Sequence, residues 1–366
     1  MRILFTRFPL ESRYGGAEVQ TLTLMRGLKA LGHDVTFLGS CSVLLEHTAR
    51  CSLPAARLDI GFPPVTKWLA VSFLWRQFAM RRLLIQALIA HSPQPTAIVM
   101  LSLSEKLLLT RWAASRGIRV IWVEHDRVGR WFTHNPWLPR LRRLAKLATT
   151  VVVSEMSRDI YRELGWPEEN IVAIPNGVEM QVSLPTVRIP IPDSRLHIGC
   201  LSRLTHDKGI DVLIDAMDHL PDIRLTIVGT GRDEADFKAR AARGGARDRI
   251  DFLPSVRAPQ DLFDAIDILI LPSREHDPFG LVAAEAMFRD IPVIVTDACG
   301  IAGYLQSGTD AIVVKAGDRG ALQEAISLLS DREHRNAIGT AGQHAAQEKF
   351  TAERMSRQYE ELLQSL

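Results

Sequence analysis

Short runs of apolar, mostly β-branched residues alternate along the chain with longer stretches whose apolar positions recur every three or four residues. Twelve runs read as strands. Six lie in the first half (2–6, 35–38, 97–101, 119–123, 150–153, 171–174) and six in the second (196–201, 224–229, 249–253, 267–271, 292–296, 311–314). Segments between them, such as Ala17–Leu31, Ile210–Leu220 and Gly280–Phe288, carry the helical spacing. Continuous apolar strands separated by helices predict parallel sheets covered on both faces. The right-handed crossover preference then makes each half a doubly wound, Rossmann-like α/β unit.

Between the halves, VSLPTVRIPIPDS (182–194) has prolines and neither period, which predicts a linker. The expected division is a first domain over 1–181 and a second over 195–350. A last helix, Ala352–Leu363 within the segment 351–366, either caps the second domain or crosses back to the first. Two such domains are expected to face each other across a deep cleft, with the chemistry on loops that follow strands.

Composition adds that each half can bury a core: 46% of the 366 residues are hydrophobic and 23% charged, too apolar for disorder. Four cysteines without CxxC spacing read as reduced thiols in a cytoplasmic protein. Ile3–Phe5 is too short for a signal-peptide core. The longest apolar run, WLAVSFLW between Lys67 and Arg76, falls short of the ~18 residues that cross a bilayer.

The net charge of +2 hides an asymmetry: residues 1–180 carry 23 basic and 14 acidic side chains, the remainder 21 and 28. Thr66–Lys146 alone holds 14 basic against three acidic residues. Such a surface expects an anionic partner. No nucleic-acid-binding motif accompanies it.

Candidate chemistry clusters after strands. Tyr14-Gly15-Gly16-Ala17-Glu18 puts a glycine pair before the first helix, where a backbone can approach an anion. The same pair also reads as a plain turn, and it is not GxGxxG. Arg203 and Lys208 lie on the loop after 196–201, a pair of cations suited to a diphosphate. Gly229 and Gly231 allow tight passage after the next strand. In 271–296, a helix is expected from about Pro278 with Asp277 as its N-cap. Glu285 would then lie two turns along and about 80° around, so both carboxylates would reach one elongated ligand. The amides of Phe279 and Gly280 would face phosphate or sugar hydroxyls. His125, in Glu124-His125-Asp126 at a strand end, is a candidate for hydrogen bonding or acid–base work. Neither HExxH nor a cluster with zinc spacing occurs, and there is no Walker loop or GxSxG.

IPNGVE, SRLTHDKG, VGTG and PSREHDPFGLVAAEAM, in this order, resemble the retaining glycosyltransferases of family 4, which have the GT-B fold. The resemblance covers nearly the whole chain and is densest from Ile174 to Thr296. It implies that the last helix packs on the first domain. It also implies that the acceptor binds mainly to the first domain and the nucleotide sugar mainly to the second. Arg203 and Lys208 would hold the donor diphosphate and stabilise the leaving group, and Glu285 would bind the ribose. Gly16 would approach the diphosphate from the first domain. Phe279 and Gly280 would meet the donor sugar through their amides, with Gly229, Gly231 and Leu281 completing the donor site and Val256 near the base. His125 would contact the sugar and the leaving oxygen. The family's Glu-x7-Glu pattern begins here with Asp277, one methylene shorter, so either Asp277 or Glu275 takes the first carboxylate role.

The implied reaction moves a sugar from a UDP or GDP donor to a glycan or lipid-linked acceptor, with retained configuration and neither cofactor nor metal. Bacterial-type surface polysaccharide, lipopolysaccharide or glycolipid synthesis is the expected setting. An epimerase of the same fold and a non-catalytic nucleotide-sugar-binding protein are the alternatives. The basic block then gains a meaning. Lys67–Ala90 combines Trp68, Phe73, Trp75 and Phe78 with Arg76, Arg81 and Arg82. Residues 131–146 combine Trp131, Phe132 and Trp137 with Arg140, Arg142, Arg143 and Lys146. The expectation is peripheral binding to the cytoplasmic face of an anionic membrane, against core helices with solvated arginines.

Overall fold

The computed structural model describes residues 1–11, 15–90, 93–179, 195–256 and 258–366. Tyr14 and the expected linker at 182–194 lie outside the described residues. Contacts divide the chain into two units, Met1–Gly177 with Ala352–Leu366, and Val178–Thr351.

In the first unit, β1 (Arg2–Arg7), β2 (Asp34–Gly39), β3 (Ala55–Arg57), β4 (Ala97–Met100), β5 (Arg119–Glu124), β6 (Thr149–Val152) and β7 (Ile171–Ala173) form one parallel sheet. Its strand order is 3-2-1-4-5-6-7. Helices α1 (Gly16–Ala30), α2 (Ser42–Arg50), α3 (Lys67–Ala90), α4 (Leu103–Ala114), α5 (Arg130–Thr133), α6 (Leu138–Ala145) and α7 (Glu155–Glu163) connect the strands.

The second unit pairs β8 (Leu196–Leu201), β9 (Ile223–Val228), β10 (Ile250–Leu253), β11 (Ile268–Leu271), β12 (Val293–Thr296) and β13 (Ile312–Val314) in the order 10-9-8-11-12-13, again all parallel. Its helices are α8 (Ile210–Met217), α9 (Glu234–Arg243), α10 (Pro259–Phe263), α11 (Leu281–Met287), α12 (Arg319–Leu328) and α13 (Arg332–Lys349). Both orders are the Rossmann arrangement.

All twelve expected strands form, and the apolar runs explain why: every residue of β4, β6, β11 and β12 is buried. β3 was not expected. Its three residues are exposed at a sheet edge, so no apolar pattern marks them.

The last helix, α14 (Ala352–Ser365), belongs to the first unit and packs on α1. Met355, Tyr359 and Leu363 join the same apolar cluster as Phe5, Phe37 and Val99. His33 Nε2 lies 3.0 Å from Glu360 Oε1. Gly27 of α1 passes so close to α14 that a Cβ there would strike the Ser356 side chain. Among the described residues no helix is long and apolar enough to cross a membrane.

In each sheet the strand order reverses beside the first strand, between β1 and β4 and between β8 and β11. Loops leaving the carboxyl ends there turn to opposite faces, which opens a crevice for a ligand. That topology decides where to look for chemistry.

Leu363 is fully buried two residues before the end of α14. Leu363→Ala should cost about 2–5 kcal/mol in urea unfolding of the first unit, as a central core leucine would. A loss below about 0.5 kcal/mol, the range of surface substitutions, would show that α14 is a loose appendage.

Candidate functional site

In the second unit, the loops after β8 and β11 flank the reversal of strand order. After β8, Ser202 donates its amide to the Val228 carbonyl and Leu204 donates to that of Thr230, which stitches the loop to the end of β9 and the residues that follow. Gly229 and Gly231 make this stitching possible. A Cβ at Gly229 would strike the Ser202 carbonyl, and one at Gly231 the Leu204 carbonyl. These two glycines therefore shape the loop that carries Arg203. Arg203 itself is exposed, and among the described residues its side chain has no ion-pair partner.

The loop continues through a single 3-10 turn, His206–Lys208, and ends at Gly209 with φ +67°. A Cβ on Gly209 would collide with the Pro272 carbonyl, just beyond β11. This close approach brings Lys208 to the second loop, where its Nζ lies 2.7 Å from Asp277 Oδ2. The two side chains are only 12% and 16% exposed. Ser273 Oγ donates to the same carboxylate oxygen at 3.3 Å.

Asp277 is not a helix cap. Its amide donates to Ala298 and its carbonyl accepts from Gly300, so it forms a one-residue parallel bridge with Cys299. The helix begins four residues later, at Leu281, because Gly280 has φ +91° and breaks the helical path. The expected start at Pro278, with Asp277 and Glu285 on one helix, is thus replaced by a carboxylate on an extended loop and another inside α11. A proline and a nearby acidic residue resemble a helix start in sequence, but the cross-strand bridge takes both main-chain groups of Asp277.

Phe279 is buried, with its ring edge-on to Phe350 at 5.5 Å, which leaves only its main chain to meet a ligand. Among the described residues the amides of Phe279, Gly280, Leu281 and Val282 donate no hydrogen bond. Glu285 is half-buried in α11, and no described residue forms an ion pair with it. Burial alone pushes its carboxyl up to about 7. Glu275 is exposed, with its amide directed to the Asp207 carbonyl. Val256 is half-buried on the loop after β10. Of the expected residues, then, the fold brings Lys208 and Asp277 into direct contact.

Sequence reading missed the groups that hold this pair. Cys299 is buried beside Asp277, and burial, reinforced by that carboxylate, pushes its thiol up to about 11. Thr296 Oγ1 donates to the Ser273 carbonyl at 2.6 Å. Their only signal was position, at or just past the carboxyl ends of β11 and β12.

In the first unit, Gly16 is exposed at the start of α1. His125 follows β5, and its Nδ1 is buried without a hydrogen-bond partner among the described residues. Burial, then the positive charges of Arg7 and Lys106, push the imidazole down to about 3. It is therefore neutral near pH 7 and suited to hydrogen bonding rather than to proton donation. The neighbouring cations are themselves paired: Arg7 Nη2 with Glu18 Oε1 at 2.5 Å, and Lys106 Nζ with Glu124 Oε1 at 2.8 Å. The visible sign of this network was charge in apolar surroundings, Arg7 at the end of RILFTR and Lys106 inside LSEKLLL.

IPNGV has a structural task. Gln20 of α1 exchanges two hydrogen bonds with the Gly177 main chain, at 2.8 and 2.9 Å, while Asn176 is buried.

A carboxyl raised by burial makes a signed prediction. Unfolded, Glu285 ionises near its ordinary 4.5; folded, near 7. Between those values the unfolded chain binds fewer protons, so stability falls as pH rises through that window. Glu285→Gln removes the penalty. In thermal unfolding its Tm advantage over the parent should be largest at pH 8 and shrink towards pH 4; a pH-independent difference would contradict the assigned cause.

Comparison with known proteins now bears on the whole chain. The model for glycosyltransferase family 4 matches residues 14–182, and the model for glycosyl transferases group 1 matches residues 187–345. A D-inositol 3-phosphate glycosyltransferase of Xylanimonas cellulosilytica is 30% identical over 215 residues, covering 54% of this chain and 51% of that one. The chain thus spans about half the length of that relative. A lipopolysaccharide core biosynthesis mannosyltransferase of Rhizobium leguminosarum bv. viciae is 27% identical over 78% of this chain and 79% of its own. Among solved structures, Anabaena HepE in complex with UDP and glucose superposes with a TM-score of 0.81 at 19% identity, with both chains fully covered. Two adjoining family models, paired Rossmann-like sheets and a last helix packed on the first of them lead to one conclusion: the chain belongs to glycosyltransferase family 4, of GT-B fold.

Proposed function

We propose that this protein is a retaining hexosyltransferase that moves a sugar from a UDP or GDP donor to a glycan or lipid-linked acceptor in surface polysaccharide, lipopolysaccharide or glycolipid synthesis. The observation that carries the reading is Lys208 fixed on Asp277, on the loop that also carries Arg203, at the point where the second sheet reverses its order; Arg203 has no ion-pair partner among the described residues. Both solved and curated relatives support the substrate class: HepE was solved with UDP and glucose, and the Rhizobium relative is named a mannosyltransferase.

In this reaction the oxygen of an acceptor hydroxyl bonds to the anomeric carbon as the bond from that carbon to the diphosphate breaks; the bonding electrons leave with the diphosphate, and the hydroxyl proton passes to the departing diphosphate oxygen. Negative charge grows on the departing oxygen. Lys208 and Arg203 neutralise it, the kind of preorganised electrostatic term that usually dominates such catalysis. No metal is required in this scheme, because the two side chains supply the positive charge.

Asp277 takes the first carboxylate role rather than Glu275. It is the one held beside Lys208, and its oxygens would accept from sugar hydroxyls as the lysine turns to the diphosphate. Glu285 accepts from the ribose hydroxyls, which suits a carboxylate without a counter-ion. The amides of Phe279, Gly280 and Leu281 face the sugar, with Gly229 and Gly231 maintaining the Arg203 loop and Val256 beside the base. In the first unit, the exposed Gly16 suits close approach by an anion, and the neutral His125 imidazole suits hydrogen bonding to a sugar hydroxyl.

Lys208→Ala and Arg203→Ala should each lower kcat/KM by ~10²-fold or more, with unfolding midpoints near the parent's for the exposed Arg203. Transfer is read with UDP- and GDP-sugars in the presence of chelator, with a donor-only control. Unchanged turnover in both variants would defeat the assignment, and isomerisation of donor alone would identify an epimerase.

A further inference from the structure

α3 is apolar on two faces. Ala70, Phe73, Met80, Leu84 and Leu88 are buried in the first unit. Trp68, Trp75 and Phe78 are instead 81%, 69% and 73% exposed, with Val71 and Leu74 exposed beside them. At ~100° per residue, positions 68, 71, 75 and 78 fall on one stripe. Large aromatic side chains this exposed, three on one helix, mark an interaction surface.

Not every aromatic residue of the basic block faces out. Phe73 and Phe132 are core residues, and Trp137 packs edge-on to Phe73 at 5.0 Å while its Nε1 donates to the Ala70 carbonyl. The sequence expectation that grouped all of these at a bilayer is corrected to the α3 stripe and the half-exposed Trp131.

Beside the stripe, α3, α4 and α6 wall an open cavity of about 590 Å³. Arg81, Arg111, Arg140 and Arg143 line it, and among the described residues no carboxylate does. Among the described residues none of the four has an ion-pair partner. Arg140 is half-buried and fixed: one Nη donates to Gln77 Oε1 at 2.7 Å and the other to the Leu107 carbonyl at 3.0 Å. Burial, with repulsion from Arg81 and Arg143, lowers its pKa. An anion entering the cavity would relieve that repulsion and accept forked hydrogen bonds from guanidinium groups. Phe78 joins the two features, since it belongs both to the exposed stripe and to the cavity wall.

We propose that this face of the first unit docks on an anionic phospholipid bilayer, with the α3 aromatic stripe entering the interface and one lipid phosphate seated in the four-arginine cavity. The juxtaposition selects the occupant. Hydrocarbon explains the aromatic stripe, and a phosphate explains four guanidinium groups without a counter-ion. The inference is independent of the proposed reaction.

The test is co-sedimentation of the full chain with vesicles of phosphatidylcholine alone or with added phosphatidylglycerol. Binding should require phosphatidylglycerol and weaken as salt rises. Arg81→Gln/Arg143→Gln should reduce partitioning about tenfold or more. Trp75→Ser/Phe78→Ser, which alters only exposed side chains, should reduce it to a similar extent. Arg319→Gln/Arg332→Gln removes the same charge from exposed sites in the second unit and should change it less than twofold. No binding by the parent, or equal losses in the two arginine variants, would overturn the proposal. So would a soluble dimer that Trp75→Ser/Phe78→Ser dissolves, or saturable binding of inorganic phosphate without vesicle binding.

Discussion

Lys208 and Asp277 stand 69 residues apart in the chain and 2.7 Å apart in space. They meet because β8 and β11 are neighbours in the second sheet, so the loops leaving them start from adjacent points. Gly209 then lets the first loop touch the Pro272 carbonyl, and the bridge to Cys299 holds the second in place. With both side chains largely withdrawn from water, their Coulomb attraction is offset by the cost of desolvating them. The pair therefore contributes position more than stability. A flexible lysine is thereby held at one point of the loop cluster.

The first unit treats charge differently. Arg7 and Lys106 each have a carboxylate partner, and the buried Nδ1 of His125 has no hydrogen-bond partner among the described residues. Burial, reinforced by the positive charges of Arg7 and Lys106, keeps the imidazole neutral. Each unit thus handles charge in its own way: paired cations around an uncharged hydrogen-bonding ring in one, and in the other a carboxylate-tethered lysine with an arginine that has no ion-pair partner among the described residues.

The strand pattern was legible because parallel strands buried on both faces must be continuously apolar, and β4, β6, β11 and β12 are. β3 escaped because three exposed edge residues need no such pattern. Arg203 and Lys208 could be singled out as cations on a loop after a strand. The reason for Gly229 and Gly231 could not: they make room for the chain's own carbonyls, a contact between loops that sequence spacing does not encode. The start of α11 was misplaced for a related reason. Local cap chemistry favoured Pro278, whereas a long-range bridge and the positive φ of Gly280 determine the observed boundary. In the basic block, periodicity distinguished neither face of α3, since both are apolar. Only packing separates buried Phe73 from exposed Trp75.

The most direct measurement is a crystal structure of the protein with an intact or hydrolysed UDP or GDP donor. The account places diphosphate oxygens within about 3.2 Å of Lys208 Nζ and of the Arg203 guanidinium, with the ammonium drawn off Asp277. A diphosphate lodged elsewhere, with Lys208 still resting on the carboxylate, would contradict it.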